Sequence, residues 1–249
     1  MVPGLLAAGI GSLVFTGLYH WTGYGPFTLA IPNIPAAGPP DGAEFLWAFG
    51  IGLAAAVVGT IIKRLGLLLQ PIVERRRVLL TPLVGLVVAG AAIAFAELTN
   101  KGSSPVLFSG ETFLPALIQN AATWTAGALV LLVLFKGLAY GASLSSFRGG
   151  PTFPGMVIGA AGGIALSHLP GLPMISGAAM GIGAMSVAML GLPLTSVMLA
   201  TLFLQADAID LMPLVIVAVV VAYVASARLT FALPPVGAAR ASESEGRAP

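Results

Sequence analysis

The chain has 249 residues, of which 57% are hydrophobic and only 8% charged, with a net charge of +2. An ordinary soluble domain carries roughly 25% charged residues, so this composition excludes one and points to an integral membrane protein. The 32 glycines and 19 prolines interrupt apolar runs. Barrel strands would need alternating polarity instead, so the expected fold class is all-α: a polytopic membrane helical bundle with short, tilted and broken helices.

Several function classes fall away on the same grounds. The basic residues sit in short loops and form no nucleic-acid footprint. The lack of cysteine removes disulfides, thiolate metal sites and cysteine nucleophiles together. His20 and His168 lie far apart without metal-ligand spacing, so no metal site is expected and each reads as an interfacial or helix-end residue. With no nucleophile, acid–base pair or metal cluster in view, an enzyme is not expected either.

In chain order, no basic residue precedes the apolar run over 5–18, so the first segment reads as a membrane helix and not a cleavable leader. Helices are expected over 3–19, 44–62, 78–97, 122–142, 153–168, 174–190, 193–205 and 210–227. Several fall short of the ~20 residues needed for a full span, which implies helices that end inside the membrane. The proline-rich stretch 33–41 reads as a surface loop. The membrane domain extends over 1–237, and 238–249 reads as a disordered polar tail.

Lys63, Arg64, Arg75, Arg76 and Arg77 fall in one expected loop against a single acid, Glu74. An excess of positive charge marks the cytoplasmic side. Two expected helices before this loop and six after it bring both termini to the cytoplasm, with Arg228, Arg240 and Arg247, in a plasma (inner) membrane.

The stretch 145–154 places serines, Arg148, glycines and prolines between two long apolar segments. Irregular backbone at membrane depth is tolerated where it is buried in protein or lines a cavity. Gly149 and Gly150 let the backbone approach a ligand. A helix starting near Phe153 would aim unpaired amides and a positive dipole end at an anion. Gly149, Gly150, Pro151, Thr152, Phe153 and Pro154 are therefore the candidate anion-binding residues, the plainer alternative being a glycine–proline turn between two helices. Two Gly-x-x-x-Gly spacings, Gly159 to Gly163 and Gly177 to Gly181, permit close helix packing. Further on stand Gly181-Ile182-Gly183-Ala184 and Pro193-Leu194-Thr195. Pro193 suits a first helical turn, and Thr195 can bond back to its own helix.

Taken in order, these segments resemble the second half of the CLC family of voltage-gated chloride channels and chloride/proton exchangers. That family has a Gly-x-Phe-x-Pro anion loop opening a helix, then Gly-x-Gly-Ala, then Pro-Leu-Thr. Gly150, Pro154, Ile158, Gly159, Gly181, Gly183, Ala184, Pro193, Leu194 and Thr195 follow that order here. The resemblance implies the second inverted repeat of the CLC fold, passive transport of chloride or a similar small anion, no cofactor, a lipid bilayer as surroundings and a homodimer. It implies dimer contacts from helices corresponding to the first two and last two here. Arg148, Pro193 and Thr195 become possible pore or supporting residues.

The departures are equally informative. The family's phenylalanine aligns with Thr152, and Pro151 stands where the family supplies an anion-binding amide. Proline has no amide hydrogen, so one donor is absent. No tyrosine stands at 228–235, where the family places a hydroxyl on the anion, and no carboxylate at 20–24, where exchangers carry an internal glutamate. The first-half loops of the Gly-Ser-Gly-Ile-Pro and Gly-Arg-Glu-Gly-Pro types are not found, so a partner half is expected upstream or from another chain. Channel behaviour is expected, the alternatives being half of an anion/proton exchanger or a truncated chain that only packs or dimerises. Lys136, inside the span 122–142, either stabilises a passing anion, snorkels to the cytoplasmic interface or caps nearby carbonyls.

Overall fold

The computed structural model describes residues 2–23, 31, 38–147, 149–204 and 208–232. Arg148, Gln205, Asp207, residues 33–37 of the proline-rich stretch and the polar tail 238–249 lie outside that set. Among the described residues every regular element is helical, as the composition implied. The chain divides into two compact units, Met1–Ala30 and Ile31–Pro249.

The first unit contains α1 (Val2–Thr22), close to the expected segment. At 21 residues it is about 31 Å long, enough to cross a hydrocarbon core of ~30 Å. Thr16 and Thr22 donate their hydroxyls to the carbonyls of Ser12 and Leu18, at 2.9 and 2.8 Å, so the helix satisfies its own polar side chains.

The second unit begins its helices with α2 (Gly42–Arg75) and α3 (Arg77–Thr99). Asp41 and Glu44 form a reciprocal capping box that starts α2. The expected end near Ile62 is a correction: α2 continues through Lys63, Arg64 and Pro71 to 34 residues. The apolar residues Leu65, Leu67, Leu68 and Leu69 keep the helix going, and Pro71 costs one hydrogen bond to the preceding turn. The basic segment is therefore a helix end and not a loop, with Arg76 as the single break before α3. At about 51 Å, α2 is long enough to carry its basic final turns into the water layer.

Two short helices, α4 (Ser104–Leu107) and α5 (Phe113–Gln119), follow where none was expected. A 3-10 turn then leads to α6 (Ala126–Ser143), whose start is set by Thr125, the side chain of which accepts the Ala128 N–H at 3.2 Å. The remaining helices are α7 (Thr152–Leu166), α8 (Met174–Leu190), α9 (Pro193–Leu204) and α10 (Ala208–Ala232). In the second unit, among the described residues, four helices are long and apolar enough to span a bilayer: α2, α3, α6 and residues 209–230 of α10. With 15 and 12 residues, α7 and α9 reach about 22 and 18 Å, short of the ~30 Å of a hydrocarbon core.

The core of this unit is α8, buried continuously from Ile175 to Met189. It meets α7 backbone to backbone. A Cβ added at Gly159 would collide with the Gly181 carbonyl, and one at Gly163 with that of Gly177. The two Gly-x-x-x-Gly spacings thus face each other in antiparallel register, Gly159 opposite Gly181 and Gly163 opposite Gly177. Along α2, glycines every seven residues admit three different neighbours. Added Cβ atoms at Gly52, Gly59 and Gly66 would each stand 2.8 Å from α10, α8 and the residue after α6, at Ala218 O, Ala188 Cβ and Leu144 Cβ. By contrast α3 is only 11% buried over its apolar window, and side chains such as Val78, Leu86 and Ile93 point outward, which suits contact with lipid.

Gly163→Ala is expected to destabilise the protein by about 1–3 kcal/mol or more, because the methyl must displace backbone in α8. Gly162→Ala, whose new carbon would be 3.9 Å from Val133 Cγ2, is expected to stay within about 0.5 kcal/mol or gain slightly from helix propensity. Denaturation midpoints of the two variants in the same detergent check this; equal shifts would mean that the glycine contact does not hold the helices at this distance.

Candidate functional site

The start of α7 is marked by what its backbone leaves free. An α-helix has no internal acceptors for its first amides. In α7, Pro154 has no N–H, and Gly155 donates to the Pro151 carbonyl at 3.0 Å. Thr152 and Phe153 therefore carry the amides without an intrahelical acceptor. Pro151 precedes them in a helical conformation, φ −79° and ψ −6°, and no side chain caps the end. The positive end of the helix dipole and two N–H groups are thus left uncommitted. Pro154 fits because the N–H it lacks belongs to a position that is orphaned in any case.

The six loop candidates are graded in exposure. Gly149 and Gly150 are exposed, and a Cβ at either would meet no atom within 4 Å. Pro151, Thr152 and Phe153 are half-buried, and Pro154 and everything after it to Ala161 is buried. The helix therefore enters the protein within one turn while its first amides stay at the rim. Arg148 lies outside the described residues.

Several other elements arrive at the same end. Gly155 abuts Met189 near the C-terminus of α8, with a Cβ added there 3.3 Å from Met189 Cγ, so the antiparallel pair places the end of α8 beside the start of α7. The chain turns at Gly191 (φ +70°) and re-enters as α9 at Pro193, which occupies the first helical position as expected. Pro193 is half-buried and Thr195 exposed on that first turn. The end of α6 is here too, since Leu144 packs on Gly66, about two and a half turns before the basic end of α2. A polar cleft of about 210 Å³ opens between the end of α2, the start of α3 and the segment after α6, lined by Gln70, Glu74, Arg77, Thr81, Ser145 and Ser146 among others. Within it Glu74 accepts from Gln70 at 3.1 Å and pairs with Arg77 at 3.4 Å. Of its lining, Ser145, Ser146 and Phe147 belong to the stretch that the sequence singled out. Gln70, Glu74 and Thr81 come from helices whose approach no local pattern signals.

Lys136 is not part of this end. It is 2% exposed, and its ammonium donates to the carbonyls of Pro105 at 2.6 Å and Phe108 at 2.8 Å. Of the three roles open to it from sequence, the geometry displays carbonyl capping and not snorkelling to the interface. His168 bonds through Nδ1 with the Ile164 carbonyl at 3.1 Å, a helix-end role, and His20 falls in the last turn of α1. Among the described residues no group of three or more His, Cys, Asp or Glu could hold a metal ion.

No curated protein matches the chain by sequence. The family profile described as voltage gated chloride channel does match, over residues 1–227, and with that agreement covering nearly all of an all-helical membrane chain, the protein belongs to the voltage gated chloride channel family.

Proposed function

We propose that the protein conducts chloride or a similar small anion passively, and that the first turn of α7 is one wall of its pathway. The observation that carries this reading is the uncapped start of α7, where the Thr152 and Phe153 amides have no intrahelical acceptor and Gly149 and Gly150 leave the approach open. A dehydrated anion needs donors that need not be stripped from other partners, and such amides meet that need. Arg148 adds positive charge in the adjoining loop, and Pro193 and Thr195 support the site from the start of α9. The missing carboxylate at 20–24 favours a channel over proton-coupled exchange. The opposite wall comes from a complementary half, encoded upstream or supplied by another chain, and the complete protein works as a homodimer. Arg75, Arg76 and Arg77 at the junction of α2 and α3 favour a cytoplasmic location for this end, in a plasma (inner) membrane.

Pro151→Ala restores an amide to the loop without changing its backbone basin. It is expected to tighten chloride binding about tenfold, the scale of one hydrogen bond to a charged group. Thr152→Val, which keeps the amide and removes the hydroxyl, is expected to change the chloride-to-nitrate preference several-fold. Anion competition in liposome flux assays reads both, and unaltered selectivity in the two variants would remove this turn from the pathway. The natural absence of cysteine allows a clean test of orientation. Arg76→Cys is expected to react with a membrane-impermeant maleimide only from the cytoplasmic face, and labelling from outside in intact cells would reverse the topology.

A further inference from the structure

Lys136 presents an energetic problem that the anion pathway does not solve. It stands on α6, a membrane span, and is almost wholly buried. Burying a charge is costly, and a methionine of similar length would avoid that cost. The only hydrogen bonds its ammonium makes among the described residues go to two backbone carbonyls, Pro105 and Phe108.

Those carbonyls belong to a segment that cannot satisfy itself. A four-residue helix such as α4 leaves its last carbonyls without intrahelical donors. Phe108 is already extended, at ψ 168°. In the membrane such carbonyls must find donors within the protein, and a cation at the negative end of a helix is the most favourable kind. Lys136 provides it from 31 and 28 residues away.

The same clamp reaches α7. Gly110 follows two residues after Phe108 with φ +100°, a left-handed conformation that glycine alone adopts without strain. Its backbone lies so close to Val157 that an added Cβ would collide with that side chain, and the Lys136 stem passes beneath, its Cε 3.8 Å from the same point. The Gly110 carbonyl then accepts the Leu114 N–H at 2.8 Å and so starts α5, which also packs on α7. Val157 is five residues into α7, about 7.5 Å along the axis from Thr152. On its other side α7 is held by the glycine contact with α8.

We propose that Lys136 is a positioning residue: by holding the Pro105 and Phe108 carbonyls it seats Gly110 against Val157 and so fixes the first turns of α7. Its importance for transport rests on the reading of those turns as the anion wall, but the positioning itself does not.

The test is amide hydrogen exchange on the full chain in nanodiscs. In Lys136→Met, exchange is expected to quicken at least about tenfold both over 104–114 and at residues 155–158 of α7, the scale of losing hydrogen bonds to a charged group. Lys136→Arg, which keeps charge and donors, is expected to retain most of the protection at both places. Unchanged exchange at 155–158 in Lys136→Met overturns the proposal, as does uniform loss of protection in all helices, which would make Lys136 a general stability residue. Val157→Ala gives a second view, since loosening the contact from the α7 side should quicken exchange over 110–114 while Lys136 stays in place; protection there equal to wild type overturns it as well. Chloride-to-nitrate selectivity measured on the same samples separates the two claims: quickened exchange with unaltered selectivity supports the positioning role and refutes the anion reading of the α7 turn.

Discussion

The contact on which this structure depends is backbone against backbone, between α7 and α8. Lipid tails are as apolar as leucine, so nothing like the hydrophobic effect drives two helices together inside a bilayer, and close van der Waals packing must do so. Gly159, Gly163, Gly177 and Gly181 make that packing possible by removing the side chains that would hold the helices apart. Because α8 is then buried throughout, it becomes the post around which α2, α9 and α10 are arranged. The positions of the start of α7 and the start of α9 at one end of the molecule follow from this antiparallel pair.

A second constraint governs the helix ends. Backbone groups that water would satisfy in a soluble protein must be paired internally at membrane depth. The structure treats two such ends in opposite ways. The carbonyls near the end of α4 are closed by a buried cation, Lys136. The amides at the start of α7 receive no side-chain cap, and a proline stands where a capping serine or aspartate would be usual. A cap would compete with an anion for the same donors. One end is closed by a side chain from another helix and the other is left without a cap.

The charges follow a similar division. Arg75, Arg76 and Arg77 gather where α2 and α3 meet, and the nearby cleft brings Glu74, Arg77 and hydroxyl groups together. Membership of the voltage gated chloride channel family gives this concentration of positive charge and free amides its context. Long-range attraction from exposed arginines is screened beyond about 8 Å at physiological salt, so these charges act over short distances.

Much of this was legible in the residues themselves. Hydropathy determined the all-helical membrane class, and local punctuation placed α8 and the start of α9 at the residues observed, because Pro173, Gly191 and Pro193 act on their own neighbourhood. The uncapped start of α7 was legible for the same reason: glycine, proline and a helix start are consecutive in the chain. The length of α2 was not, since clustered basic residues and Pro71 look like a loop until packing against α6 shows that a helix continues. Nor were α4 and α5, too short to carry a period, nor the partners of Lys136, which only the folded chain brings within hydrogen-bond distance. The sequence by itself determined which backbone groups are missing or left free, because proline and glycine act locally. Only the tertiary structure decided which groups are satisfied from afar, because that depends on helices meeting that share no neighbouring residues.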